Sequence, residues 1–113
     1  MKKMPDKYRQ LVEVLLEKTA QGKVDWSESA RSSFSFSTDS RSINILDWYD
    51  DDAERFSYSL SIRDELGNII DSFVASPSAD GFDLLQSLHD AARRSARDIE
   101  QTINDLLGVL QAS

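Results

Sequence analysis

Phe56-Ser57-Tyr58-Ser59-Leu60-Ser61-Ile62 alternates a large apolar side chain with serine at every step. Successive side chains of a β-strand point to opposite faces, so this run sets an apolar face against a face of hydroxyls. The same rhythm recurs in Ser33-Phe34-Ser35-Phe36-Ser37 and in Ser42-Ile43-Asn44-Ile45. Together they describe a half-buried antiparallel sheet. Its apolar face requires cover from other elements.

Working outward, the connections are short. Thr38-Asp39-Ser40-Arg41 and Glu65-Leu66-Gly67-Asn68 carry turn residues, the second with glycine and asparagine able to take positive φ. Strands are therefore predicted over 32–38, 41–49, 54–64 and 68–75. The serine-rich stretch 27–33 reads as a loop or an irregular edge strand. Upstream, Tyr8, Leu11, Val12, Leu15, Leu16 and Thr19 recur at helical spacing, with Pro5 and Asp6 at the start and Gly22 at the end. A helix over 5–20 follows. Downstream, Ser76 to Gly81 stops the sheet. Leu85, Leu88, Ala92, Ser95, Ile99, Ile103, Leu106 and Leu110 then keep three-four spacing. One long helix, bent near Ser95 to Asp98, is favoured; the alternative is a break there, where Ser95, Asp98 and Thr102 have capping chemistry. The predicted fold is α+β: an N-terminal helix, a four-stranded antiparallel meander and a long C-terminal helix, with the helices on one sheet face.

Bulk properties fit one domain over residues 1–113, with residues 1–4 expected to be flexible. Hydrophobic and charged fractions of 40% and 29% are ordinary for a folded domain. There is no cysteine, which removes disulfides and thiolate chemistry. The basic N-terminus is followed by no apolar leader segment, so neither a signal peptide nor a membrane span fits and the cytoplasm is the expected compartment. A net charge of −7 disfavours direct binding to nucleic acid or anionic lipid.

Extending the alternation exposes two awkward strands. Through 41–49 it sends Leu46 and Trp48 outward and Asp47 inward. In the last strand Ile69 and Phe73 share one face, Ile70 and Val74 the other. Two readings fit. A β-bulge near Leu46 or Asp71 returns these side chains to the core, or Leu46, Trp48, Ile69 and Phe73 form an apolar interaction patch framed by serine.

Motifs for chemistry are sparse. Asp47, Asp50, Asp51, Asp52 and Glu54 lack the spacing and central glycine of a calcium loop and read as solvated surface. His89, the sole histidine, has no nucleophile motif beside it and reads as a surface or core-edge residue. Glycine is too scarce for a phosphate loop. Arg93, Arg94 and Arg97 form a basic band, either ion-paired or an anion or acidic-partner site. Leu106, Leu107, Val109 and Leu110 are broader than one helical stripe. Either they are ordinary core, or they overhang the sheet, since a thirty-residue helix spans about 45 Å, and pack on a partner helix.

The segment Leu15 to Trp26, containing Lys18-Thr19-Ala20-Gln21-Gly22-Lys23 before the tryptophan, resembles the opening of a loose group of small uncharacterised bacterial proteins. Ala92-Arg93-Arg94 in the C-terminal helix is similar to a segment of the same group. The resemblance implies a helix, strand meander, helix organisation and a bacterial or phage-related setting. It transfers no catalytic residues. The sequence thus points to a non-enzymatic protein-interaction or regulatory module that binds a protein partner or itself as a homodimer, with no cofactor and no metal. The alternative is a small-ligand-binding protein with a pocket between sheet and helices, near Trp26, Trp48 and Tyr49.

Overall fold

The computed structural model describes residues 3–52 and 54–112, excepting the side chains of Asp50 and Glu100. Helix α1 runs Asp6–Ala20. Strands β1 (Ser27–Ala30), β2 (Ser33–Ser37), β3 (Arg41–Asp50), β4 (Arg55–Asp64) and β5 (Ile69–Ala75) follow. Helices α2 (Phe82–Ala96) and α3 (Ile99–Ala112) complete the chain. The strands pair in sequence order, every neighbour antiparallel.

Helix α1 ends as its glycine dictates. Gly22 takes φ +73°, its N–H donates to the Thr19 carbonyl, and the Lys23 N–H donates to the Lys18 carbonyl at 2.9 Å. That is the left-handed closure only a residue without Cβ adopts cheaply. Hydrogen bonding across the β4–β5 hairpin is equally local. The Asp64 carboxylate accepts from the Leu66 and Asn68 N–H groups at 3.0 and 2.9 Å, with Gly67 at φ +87°.

Helix α2 lies on the inner sheet face and meets β1 through β4, while α1 packs beside α2. Their buried side chains (Tyr8, Val12, Leu15, Leu85, Leu88, Ala92) join Phe34, Ile45, Tyr58, Leu60, Phe73 and Ala75 in one core. Tyr8 reaches the β5 side, where its O–H donates to Asp71 Oδ2 at 2.8 Å and its ring lies against Phe73. Burial pushes the Tyr8 phenol well above its usual value, and the adjacent Asp71 carboxylate pushes it further the same way.

The four-strand expectation falls one short, because Ser27–Ala30 pairs with β2 through an irregular register between Glu28 and Ala30. All of β1 is exposed, so no apolar alternation announces it. The single long C-terminal helix is also corrected. It breaks at Asp98, whose φ of +49° ends α2, and the Thr102 N–H and hydroxyl both donate to the Asp98 carbonyl to start α3. Aspartate tolerates the left-handed region better than most residues, and its side chain is at home at a helix boundary. Phe56 keeps the predicted face but is exposed, stacked edge-on with Tyr49 at 5.3 Å, because β3 and β4 run past the cover of α2.

The expected flexibility of residues 1–4 is only partly addressed, since Met1 and Lys2 lie outside the described residues. Met4 is buried, and its N–H donates to Asp80 Oδ2 at 2.8 Å. Arg9 Nη2 donates to the other Asp80 oxygen at 3.0 Å. A Cβ on the neighbouring Gly81, itself at φ +84°, would come within 2.8 Å of Met4 Cε. Asp80 therefore ties the entry of α1 to the entry of α2.

The Met4 N–H, and behind it the Arg9 guanidinium, hold Asp80 below its usual 3.8. A lowered folded pKa stabilises above the unfolded value and loses that contribution as pH falls through the folded one. Asp80→Asn is expected to melt at a lower temperature than wild type at neutral pH. In acid well below 3.8 the two melting temperatures should converge. Thermal melts at both conditions check this; an unchanged neutral melting temperature would refute it.

Candidate interaction surfaces

The outer sheet face is built by the register. Ser33 opposes Leu46, Ser35 opposes Asn44, Leu46 opposes Ser59 and Trp48 opposes Ser57. No register shift interrupts β3 and β4, so Leu46 and Trp48 point away from the helices while Asp47 points toward them. Trp48 is 41% exposed. The serines between these groups do not simply face water. Asn44 is buried at the centre of the face, and its Nδ2 donates to Ser33 Oγ at 2.8 Å and Ser35 Oγ at 2.9 Å, with Ser29 Oγ at 3.3 Å. Ser29 also bonds Ser33 and Ser35 through its hydroxyl. One amide thus joins β1, β2 and β3 from outside.

The bulge lies in β5. Ile62 opposes Asp71 and Arg63 opposes Ile69, which leaves Ile70 as the extra residue. It puts Ile69 on the outer face and Phe73 on the inner one, so the predicted set Leu46, Trp48, Ile69 and Phe73 is not one surface. Phe73 is 2% exposed and belongs to the core. Ile69 is exposed but sits six strand positions from Trp48 in register, roughly 20 Å away. Val74, opposite Ser59 and beside Leu46 across it, takes the place expected of Phe73. A single inserted residue reverses which side of a strand each side chain takes, and alternation alone does not reveal where it falls.

The arginine band also divides. Arg93 in the last turn of α2 and Arg97 just past its end line an open cleft of about 540 Å³ with Ser32, Asp47, Tyr58 and His89. Arg94 lines a separate groove between α1 and α2. Arg93 is held by Asp90 at 2.7 Å, and Arg97 donates through Nε and Nη2 to the Glu28 carboxylate at 3.3 and 3.0 Å. The Arg97 bonds hold Glu28 below its usual carboxylate value. The cleft's two cations are thus already paired, which weakens any pull on a further anion.

His89 is buried at the base of this cleft, between the Phe34 and Tyr58 rings, both at 5.3 Å. Its Nε2 lies 3.0 Å from the Ser32 carbonyl oxygen and 3.8 Å from Asp47 Oδ1. A carbonyl only accepts, so Nε2 carries a proton and donates it. Ser87 lines the same cleft but stands two residues before His89, a spacing that does not bring side chains together on a helix. The imidazole works here as a bridge from α2 to the start of β2. Trp26, Trp48 and Tyr49, near which a pocket is expected from the sequence, are not brought together on one face. Trp26 is in the core, donating through Nε1 to Thr19 Oγ1 at 2.9 Å, and Trp48 is on the opposite face of the sheet.

A further surface is α3. It meets the body through α2 at the bend, and every residue from 101 to 112 is exposed. Ile103, Leu106, Leu107, Val109 and Leu110 are all presented to solvent, Leu110 to 69%. On the other side of the helix Gln101 Nε2 donates to Asp105 Oδ1 at 2.8 Å. Sequence alone left these leucines as core or overhang, and the bend at Asp98 decides for overhang. Among the described residues no helix is long and apolar enough to cross a membrane, and no three metal-binding side chains converge.

Asn44→Ala is expected to lower unfolding free energy by about 1 kcal/mol through loss of its hydrogen bonds. Ser37→Ala, at an exposed position, should change it by less than about 0.5 kcal/mol. Urea titrations of both variants check the network; equal stabilities would show that the amide contributes nothing.

Comparison with protein-family models, curated proteins and solved structures finds no match for this chain.

Proposed function

We propose that this chain is a non-enzymatic protein-interaction module, of the bacterial or phage-related kind suggested by its resemblance, and that α3 is its contact element. The exposed apolar face of α3 supports this reading most directly. A folded domain presents few contiguous apolar patches beyond a few hundred Å², and larger ones mark contact surfaces. Here Leu106 and Leu107 stand on a helix that adds nothing to the core cluster. An intrinsic role for such a helix is hard to find, because an isolated helix of this length is marginal in water. Its amphipathic pattern is explained if a partner completes it.

The polar cleft favours the alternative, a small-ligand site, only weakly. His89 is engaged by Ser32, and Arg93 and Arg97 are engaged by carboxylates.

Leu106→Asp tests the proposal. If α3 serves contact and not folding, the unfolding free energy of the body is expected to stay within about 0.5 kcal/mol of wild type, while association, with itself or with a protein captured from a bacterial lysate, is lost. Denaturant titration, light scattering and capture provide the three readings. Equal association of the two proteins would overturn the proposal.

A further inference from the structure

Resting on that reading, we infer that the partner of α3 is α3 of a second copy, paired antiparallel. Ile99, Ile103, Leu106 and Leu110 are separated by intervals of four, three and four, an order that is the same in both directions. Such spacing forms the apolar seam of a two-helix contact. An antiparallel copy centred between positions 104 and 105 sets Ile103 against the partner's Leu106, and Ile99 against the partner's Leu110. Thr102 then falls beside the partner's Leu107. The polar pair Gln101 and Asp105 stays on the outward side. A two-fold axis thus matches one surface to itself, as a symmetric dimer requires.

Charge favours the same orientation. Antiparallel helices put each positive N-terminus beside the partner's negative C-terminus. The last turn of α3 carries no basic residue of its own. In this arrangement it arrives at the root of the partner's α3, next to the groove lined by Leu16, Ala20, Ala91, Arg94, Asp98 and Asp90, the last already paired with Arg93. Arg94 supplies there the cation that the helix end lacks. The groove, of about 620 Å³, also supplies area. The apolar face of α3 alone presents on the order of 400 Å², about half of what each side of a standard interface buries. Two such elbow contacts related by symmetry supply the remainder.

The chain has no cysteine, so single cysteines report the register cleanly. Chains carrying Ile99→Cys and Leu110→Cys, which antiparallel pairing opposes while holding each about 16 Å along the axis from its own mate, are purified separately, mixed and oxidised. The expected result is a covalent dimer in the mixture and little in either variant alone. Efficient cross-linking of each variant with itself would indicate parallel pairing and overturn the inference. Light scattering of the wild type at micromolar concentration should give a dimer whose melting temperature rises with protein concentration, and Leu106→Asp a folded monomer whose melting temperature does not. A monomeric wild type that captures another protein through Leu106 would overturn self-pairing while leaving the interaction reading intact. Identical behaviour of wild type and Leu106→Asp in both association assays would overturn the two together.

Discussion

Leu85, Leu88 and Ala92 have no exposed surface, and they share a core with Phe34, Ile45 and Leu60 from three adjacent strands. This contact between α2 and the inner sheet face governs the rest of the architecture. Truncating a buried leucine of this kind to alanine costs about 2–5 kcal/mol, a large share of the stability of a small domain. With α2 in place, α1 has a wall to pack on, and Asp80 holds the two helix entries together. His89 fastens the same helix to the Ser32 carbonyl. Where α2 ends its cover, the sheet becomes exposed even on its apolar side, as at Tyr49 and Phe56.

The opposite face solves a different problem. Small hydroxyl side chains leave the outer surface with little to bury, and β1 is short and exposed. Polar bonding takes over the work that apolar packing does inside. Asn44 has two amide hydrogens and reaches three serine hydroxyls across two neighbouring strands. The network adds order to an edge that would otherwise invite pairing with another chain. It also explains why Asn44 is buried on a face named for exposure. Leu46, Trp48 and Val74, with Ile69 far along the sheet, break the polar surface but form no continuous stripe like that of α3.

The bend at Asp98 has the largest consequence for function. Beyond the break, Ile103, Leu106 and Leu110 stand outside the core cluster and are exposed. The same side chains thereby change from candidates for the interior to a surface that two copies can share.

By itself, the sequence determined the elements whose signals are local. Strict alternation from Phe56 to Ile62 placed β4 and the meander, the Tyr8 to Leu15 spacing placed α1, and Gly22 and Gly67 placed a helix end and a turn. Alternation sent Leu46 and Trp48 outward but left open a bulge that would return them to the core, and only the uninterrupted β3–β4 register decided between the two. The tertiary structure decided what depends on an extra residue or on a distant partner. Ile70 as a bulge sent Ile69 and Phe73 to opposite faces. Hydroxyls drew Ser27 to Ala30 into the sheet without an apolar pattern, and Glu28 and Asp90 claimed the arginines. Periodicity records which side chains share a face. Whether a face is covered depends on where the next element goes, and for α3 that was settled by a single left-handed aspartate.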